Sequence, residues 1–421
     1  MTNPAAAPLN RGPLAIAAVC VLVYFFTNGM SLFVPQNLFP RFMETFGATA
    51  AEVSRTTALT FGISGLLAPF VGAAIDRFGV VRVIRTGLVV LGLTFIAYPA
   101  ARSLADLYLL HVAIAVGLIL SGLMPNVVLL SRWFRARSGT AVGVLVAGSS
   151  LAGATLPLAI SPLVNDPAWG WRAGMAVLAA AFWLLAVLPA FLVLREAPVA
   201  TAMAVPETGS VSKGTRGGTT FAAALRTRTL WCLAIGSACL WFAIQATTSQ
   251  ITIYFEQEAG LAPQRATALF STILASSVAG KFLFGAVSDR FRKQQIMVVT
   301  SLTLLAGCLL LFAAGDNGLE LTRDPGRLTA FAVVFGLGFG GSFTLIQLVA
   351  VESFGQLALG RILGVVTFVD TMGGAAGTLL AGQIRTATGD YFVTFALVAV
   401  VALIAVANVL LIRPVVRITN A

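Results

Sequence analysis

Twelve long apolar windows constrain the fold of this chain more than any other feature of its sequence. An apolar helix of about 20 residues can cross the hydrocarbon core of a bilayer, and it satisfies its own backbone polar groups there. The chain is 58% hydrophobic and only 10% charged, with a mean hydropathy of +0.92. We therefore predict an all-α integral membrane protein with twelve transmembrane helices. The windows are 13–38, 52–75, 83–102, 105–131, 139–163, 172–194, 229–255, 264–287, 295–314, 327–350, 361–382 and 391–413.

The windows form two groups of six, separated by a polar stretch. Residues 195–228 include GSVSKGTRGGTT, a composition typical of a flexible linker. The two groups also repeat sequence. GAAIDRFGVVR after the second window corresponds to GAVSDRFRK after the eighth, and WFRARSGTAVG after the fourth corresponds to SFGQLALGRILG after the tenth. We therefore predict an internal duplication, with six-helix bundles over 1–194 and 229–421 joined by a cytoplasmic linker over 195–228.

The net charge of +11 is divided unevenly between the two faces of the predicted membrane protein. The side that holds the termini and the linker carries 18 basic and 5 acidic residues, and the other side carries 8 basic and 10 acidic residues. The positive-inside rule then predicts that both termini are cytoplasmic. The basic charge is thus a topology signal and argues against a nucleic-acid partner. Residues 1–10 are too short and polar for a cleavable signal, so we expect the first helix to be retained.

The sequence lacks the patterns of several function classes. The four cysteines lie in apolar windows without metal-ligand spacing, and the chain has a single histidine. No G-x-x-x-x-G-K-[ST] motif for nucleotide phosphates occurs. We therefore expect no metal, no cofactor, no ATP-driven cycle and no enzymatic activity.

One lysine interrupts the apolar part of the segment SSVAGKFLFGAVSDRFRK, residues 276–293. Lys281 lies eight residues before Asp289, which is ~12 Å along a helix, and Asp289 with its basic neighbours belongs at the headgroup boundary. A cation that deep in hydrocarbon is costly, so it is expected to face the protein interior and to have a function. Lys281 is the leading functional candidate.

The loop between the second and third windows reads G-x-x-x-D-R-x-G-x-x-R from Gly72 to Arg82. It resembles the signature loop of the major facilitator superfamily, and GAVSDRFRK resembles the degenerate second copy in that superfamily. The resemblance covers the whole chain and implies a monomer whose two six-helix bundles move a small molecule by alternating access. It also implies that charged residues of the two loops pair and unpair as the bundles rock, whereas the alternative is that they only set topology. The predicted gating residues are Asp76, Arg77, Arg82, Asp289 and Arg290.

Within the superfamily, the pattern K-x-x-x-G-x-x-x-D-R around Lys281 resembles the monocarboxylate transporters and the oxalate:formate antiporter group. Those proteins usually carry arginine at this place, and the loop WFRARSGTAVG is also similar to that group. Lysine lacks the bidentate fork of arginine, so the substrate geometry need not match. The first window lacks the acidic, tryptophan-containing signature of the animal carriers, so the resemblance implies a bacterial inner-membrane member.

Asp370 in the eleventh window is the second ionisable residue predicted deep in the membrane. In the oxalate:formate group a second cation stands six residues after a glycine, and Gly364 and Asp370 match that spacing with the opposite charge. One lysine and one aspartate suit a monovalent anion with a proton better than a dianion. Lys281 is therefore predicted to bind a carboxylate and Asp370 to couple the proton. The alternative is a permanent Lys281–Asp370 ion pair that only holds two helices together.

The resemblance also places the first, fourth and seventh helices at the cavity. Amides and hydroxyls can donate to a carboxylate without titrating, although any one of them could instead join two helices. The further predicted substrate-binding residues are Asn28, Gln250, Tyr24, Asn126, Gln245 and Gln347. His111 is a second proton-coupling candidate, with a hydrogen-bonded packing histidine as the alternative. The glycines at 336, 338, 340 and 341 are expected to break the tenth helix and, as small residues, to let helices approach and slide.

These observations predict a secondary active transporter of a small organic anion, a monocarboxylate such as lactate or pyruvate, coupled to protons. Two alternatives within transport stay open: efflux of a drug or amphiphile, and anion exchange. A more remote alternative is a non-transporting membrane sensor.

Overall fold

The computed structural model describes residues 11–134, 138–197, 219–315, 318–355 and 358–413. Within these residues twelve helices are long and apolar enough to span a membrane, which confirms the predicted all-α membrane fold. The helices are α1 Gly12–Asn37, α2 Ala50–Phe78, α3 Val80–Ala100, α4 Leu104–Trp133, α5 Ala141–Val164, α6 Gly170–Val193, α7 Arg228–Gln257, α8 Pro263–Ser288, α9 Lys293–Leu310, α10 Pro325–Phe354, α11 Leu359–Thr388 and α12 Phe392–Leu410.

Several local features interrupt or connect these helices. A π-helical turn, Gly29–Phe33, lies in α1 and another, Trp183–Val187, lies in α6. A short helix, Phe39–Phe46, joins α1 to α2, and another, Phe221–Leu225, precedes α7. The strands β1 (Phe312–Gly315) and β2 (Gly318–Leu321) form an antiparallel hairpin between α9 and α10, in which Ala314 pairs with Leu319. No pattern in the sequence predicted this hairpin.

Polar caps fix where helices begin. The Thr49 side chain accepts from the backbone N–H of Glu52, and the Glu52 side chain accepts from that of Thr49. Ser103 and Asp106 form the same reciprocal arrangement at the start of α4. Each of these arrangements is a capping box, and it satisfies backbone N–H donors that the first turn of a helix leaves free. α2 and α4 therefore start at defined residues of the polar loops rather than fraying into them.

The helices pack as two bundles, α1–α6 and α7–α12. In the first bundle α4 packs against α2 and α3, and in the second α10 packs against α8 and α9. The bundles meet where α2 packs on α11 and where α5 packs on α8. The predicted linker, 195–228, lies largely outside the described residues. We call the end where α6 ends and α7 begins the linker side, and the opposite end the far side.

The predicted break in the tenth helix is wrong, because α10 is continuous from Pro325 to Phe354. Its glycines instead permit close packing on α8. A Cβ at Gly340 would collide with the backbone oxygen of Ser277, and one at Gly336 would lie 2.7 Å from the Ser276 side chain. The glycine row thus brings two backbones into contact, as small residues commonly do between membrane helices.

Candidate functional site

A cavity of ≈ 140 Å³ lies between the two bundles. Five helices, α2, α4, α7, α10 and α11, contribute to its wall. Most of its lining is large and apolar, and its polar groups come from α10 and α11. The lining residues are Phe61, Leu123, Trp241, Phe343, Ile346, Gln347, Leu363, Thr367, Asp370 and Thr371. An apolar pocket with a few polar groups is the usual form of a small-molecule site.

Asp370 supplies the ionisable side chain of this cavity wall. It lies 11 residues into α11, roughly 16 Å from the first residue of that helix, and is 8% exposed. Ser237 Oγ of α7 donates to Asp370 Oδ2 at 3.0 Å, and Thr371 Oγ1 donates to Oδ1 at 3.3 Å. Two hydroxyl donors therefore hold the carboxyl group at the surface of the cavity.

Lys281 lies beside the cavity and reaches from one bundle to the other. Its Nζ donates to Ser150 Oγ at 2.7 Å and to the backbone oxygen of Val146 at 3.0 Å, both on α5. Nζ also lies 4.8 Å from the ring centre of Phe343, which lines the cavity. Lys281 is only 7% exposed, so it lies inside the protein, as predicted. Ser150 Oγ and Ser277 Oγ are a further 3.1 Å pair across the same interface.

The alternative of a permanent Lys281–Asp370 ion pair is wrong for this conformation. Among the described side chains the salt bridges within 4.0 Å are four, and they include neither residue. Each group instead has its own neutral partners, Ser150 for the lysine and Ser237 for the aspartate. In this conformation the two charges therefore do not neutralise each other.

The fold places the predicted polar binding residues in several separate environments. Gln347 lines the cavity. Asn126 donates to the backbone oxygens of Ser121 and Gly122, both at 2.7 Å, where α4 is interrupted at Gly122. Gln245 and Tyr24 are buried, and Asn28 is partly buried beside the π-helical turn of α1. Their proposed role in binding stays a prediction.

His111 lies in the core of the first bundle. Its Nδ1 is 2.8 Å from Thr60 Oγ1, its Nε2 is 3.0 Å from Tyr98 Oη, and the side chain is fully buried. Both ring nitrogens therefore have hydroxyl partners within the bundle. This geometry favours the packing alternative, and the proton-coupling role of His111 stays a prediction.

The far side of the interface is closed by polar contacts between the bundles. Arg41 pairs with Glu256 of α7, and the Ala51 N–H donates to Thr386 Oγ1 of α11 at 3.1 Å. Gln250, a predicted binding residue, belongs to this closure rather than to the cavity. Its Nε2 donates to Ser54 Oγ at 2.7 Å, and its Oε1 accepts from Tyr391 Oη at 3.0 Å.

A second ion pair supports the far side within the C-terminal bundle. Arg385 Nε at the end of α11 lies 3.1 Å from Glu258 Oε1 just beyond α7. Burial raises the pKa of the Glu258 carboxyl above its ordinary value, and the nearby Arg385 guanidinium opposes that rise. The ends of α7 and α11 that close the far side are thereby joined to each other.

The linker side shows the opposite arrangement. Every hydrogen bond between described side chains of the two bundles lies at Lys281 or further toward the far side. The predicted gating residues are all exposed, and none of them takes part in a salt bridge within the described part of the chain. Within the described residues, the polar contacts that join the bundles therefore lie at Lys281 and on the far side. The gating role of the exposed loop charges stays a prediction.

Most residues of this site escaped the sequence analysis. They include Ser150 and Ser237, which contact the two charges, and Trp241 and Phe343 in the cavity wall. Serines and aromatics are common in membrane helices, so their types carry no signal. Their spacing from Lys281 and Asp370 in the sequence gives no signal either, because each serine lies on a different helix from the charge that it contacts.

The sequence profile of the Major Facilitator Superfamily matches residues 21–322 and 258–420. Monocarboxylate transporter 13 of Bos taurus is 25% identical over 411 residues, which cover 94% of this chain and 88% of that protein. Monocarboxylate transporter 11 of Homo sapiens is 26% identical over 416 residues, covering 94% and 82%. An agnestins efflux protein of Paecilomyces divaricatus is 24% identical over 263 residues, covering 62% and 55%, so the chain spans about half the length of that relative.

Among solved structures, the chain is similar to a bacterial homologue of the human lysosomal transporter Spinster in an inward-facing and occupied conformation. The TM-score is 0.67, the identity is 16%, and the match covers 97% of this chain and 95% of that one. At that identity the similarity concerns the fold alone. The two molecules thus share the same overall fold.

Proposed function

The chain belongs to the major facilitator superfamily, and on that premise we propose that it carries a small organic anion, a monocarboxylate, together with a proton by alternating access. The family and the relatives indicate a membrane transporter rather than an enzyme. The observation that carries the proposal is the position of Lys281, a buried cation beside the cavity whose hydrogen-bond partners among the described residues are neutral. A carboxylate is the complement of such a charge.

In this proposal the carboxylate replaces Ser150 and Val146 as the partner of Lys281 Nζ. A charge-assisted hydrogen bond to a carboxylate is stronger than one to a hydroxyl or a backbone carbonyl, so the exchange favours the bound state. Because Ser150 belongs to the other bundle, the exchange also removes a bond that joins the bundles near the linker side. Substrate binding would thereby shift the conformational equilibrium, as a ligand with different affinity for two states must.

Asp370 is proposed to carry the coupled proton. Protonation of its carboxyl would neutralise the negative charge in the cavity wall and reduce repulsion of an incoming anion. The Ser237 and Thr371 hydroxyls hold the carboxyl at the cavity surface, where a proton and an anion can both reach it. The linker side is proposed to be cytoplasmic, because it carries most of the basic residues.

Efflux of an apolar drug or amphiphile is the second candidate, and the apolar lining of the cavity favours it. Part of the chain is also similar to a fungal efflux protein. Efflux of such a compound would not require Lys281 to bind an anion, nor Asp370 to carry a proton together with an acid. The two candidates therefore differ in their dependence on these side chains.

The test is uptake of labelled pyruvate and lactate into liposomes that contain the purified full chain, with and without an inward proton gradient. The variants are Lys281→Ala and Asp370→Asn, with Lys293→Ala as a control that removes a cation at the linker-side end of α9. We expect gradient-driven uptake by wild type and Lys293→Ala, none by Lys281→Ala, and gradient-insensitive transport by Asp370→Asn. Full uptake by Lys281→Ala, or competition only by lipophilic compounds, would overturn the proposal.

A further inference from the structure

Three aromatic side chains form a wall of the cavity that the anion chemistry does not require. The rings of Trp241 and Phe343 have centroids 5.9 Å apart at an interplanar angle of 74°. Phe61 of the other bundle lies 6.4 Å from Trp241 at 52°. Edge-to-face and tilted contacts at these distances are favourable aromatic arrangements. The wall is therefore an ordered surface contributed by α2, α7 and α10.

Three of the four polar residues of the cavity stand on α11, and the fourth, Gln347, stands on α10 one turn after Phe343. On α11, Asp370 and Thr371 follow Thr367 by three and four residues, so all three share one helical face. The aromatic wall comes from other helices. The cavity thus offers a ligand a polar strip and an aromatic surface.

Phe343 connects the aromatic wall to the cation. Its ring lines the cavity and also lies against Lys281 Nζ, 4.8 Å from the ring centre. A ligand whose carboxylate binds Lys281 and whose other end lies in the cavity would therefore contact this ring. The part of the substrate that follows the carboxylate then lies beside Phe343 and Trp241.

We infer that the transported acid carries an aromatic or similarly bulky apolar group, and that Phe61, Trp241 and Phe343 determine this specificity. The inference rests on the proposed function, since it takes Lys281 as the carboxylate site. A three-carbon acid such as pyruvate would leave the aromatic wall in contact with water. An aryl group would remove that surface, and its own, from water.

The size of this effect sets the expected selectivity. A phenyl ring that buries on the order of 100 Å² of apolar surface gains a transfer free energy equivalent to roughly 30-fold to 250-fold tighter binding. A pocket that discriminates by apolar contact alone commonly achieves a ratio of this order. We therefore expect phenylpyruvate to bind at least about tenfold tighter than pyruvate.

Calorimetric titration of the purified full chain tests the inference with three probes: pyruvate, phenylpyruvate and 2-phenylethylamine. The variants are Trp241→Leu, Phe343→Leu and Lys281→Ala. Phe282→Leu is the matched control, because Phe282 adjoins Lys281 but is 56% exposed. Thermal melting establishes that each variant is folded, and two separate aromatic variants keep the test decisive if one is not.

The inference predicts that phenylpyruvate binds wild type and Phe282→Leu at least about tenfold tighter than pyruvate. The ratio should fall to about threefold or less in Trp241→Leu and in Phe343→Leu, and Lys281→Ala should lose both acids. Equal affinities of the two acids in wild type, both lost in Lys281→Ala, would overturn the inference and leave the proposed function intact. Tighter binding of 2-phenylethylamine, unaffected by Lys281→Ala, would overturn the proposed function and the inference with it. Absence of phenylpyruvate binding would also overturn the inference.

Discussion

Lys281 of the C-terminal bundle donates a 2.7 Å hydrogen bond to Ser150 of the N-terminal bundle. Counted along α8, it is the residue nearest the linker side that makes such a bond between described side chains of the two bundles. Lys281, the residue proposed to bind substrate, is therefore also the last of these contacts before the linker side. Ligand binding and bundle movement would share one side chain.

Replacing Ser150 with Ala should weaken the linker-side-open conformation. The change removes one of the two hydrogen-bond acceptors of Lys281 and leaves the backbone oxygen of Val146. A hydrogen bond to a charged group contributes about 1.5–3 kcal/mol, so a population shift of about tenfold is expected. The measurement is the distance between spin labels at Phe78→Cys and Phe291→Cys, two exposed positions in the equivalent loops.

The background for this experiment is Cys239→Ala, because Cys239 is the partly exposed one of the four cysteines and the others are buried. Thr155→Ala is the control, since its hydroxyl is exposed and donates only to Leu151 within α5. A shorter label distance in Ser150→Ala but not in Thr155→Ala would agree with the prediction. Identical distance distributions in all three proteins would contradict it.

Breaking the Arg41–Glu256 pair should open the far side. This pair joins the bundles and is largely shielded, with side-chain exposures of 19% and 11%. Glu256→Gln should shorten the same label distance on the linker side and slow uptake several-fold, because the closed far side loses a charge pair. The exchange Arg41→Glu with Glu256→Arg should restore much of the lost rate.

Glu44→Gln provides the control for the charge pair. Glu44 also pairs with Arg41, at 2.8 Å, but it lies in the same bundle and is 61% exposed. Exposed pairs contribute about 0–1 kcal/mol, so uptake and label distance should stay near those of wild type. If Glu44→Gln and Glu256→Gln act equally, the bundle-joining role of Arg41 is wrong.

Gly382→Ala should hinder closure of the far side through sterics alone. A Cβ at Gly382 would collide with Ser54 Oγ and lie 2.7 Å from the backbone oxygen of Ala50, both on α2. We expect slower uptake and a larger population with the linker side closed. Gly364→Ala is the matched control on α11, because a Cβ there meets no atom within 4 Å.

Both glycine variants exchange Gly for Ala within one helix, so both gain about 1 kcal/mol of helix propensity. A difference between them therefore reports the contact with α2 and not the helix itself. Equal transport rates in the two variants would show that α2 and α11 do not need to approach this closely.

Replacing His111 with Leu should lower stability without removing proton coupling. The change leaves the buried Tyr98 hydroxyl without the ring nitrogen that lies 3.0 Å from it. A buried polar group that loses its partner costs about 1–3 kcal/mol, so the melting temperature should fall by several degrees. Uptake by the folded fraction should keep its response to the proton gradient. Loss of that response at an unchanged melting temperature would instead identify His111 as a proton relay.

Sequence patterns predicted the large features because they arise from local physical rules. Helix number follows from apolar length, and the interior position of Lys281 follows from the cost of a charge in hydrocarbon. The ends of the helices were less predictable. The last turns of α11 extend beyond the apolar window, because the polar residue Arg385 is held by Glu258 and continues the helix into the loop region.

The sequence by itself thus determined twelve helices in two bundles, and the presence of a buried cation and a buried acid. Only the tertiary structure decided which groups these charges meet. Ser150 and Ser237 lie 131 and 133 residues from Lys281 and Asp370. Helical periodicity fixes neighbours within a helix, but contacts between helices depend on the packing of every side chain in the interface. For that reason a Lys281–Asp370 pair was plausible in sequence, and separate neutral partners are what the fold provides.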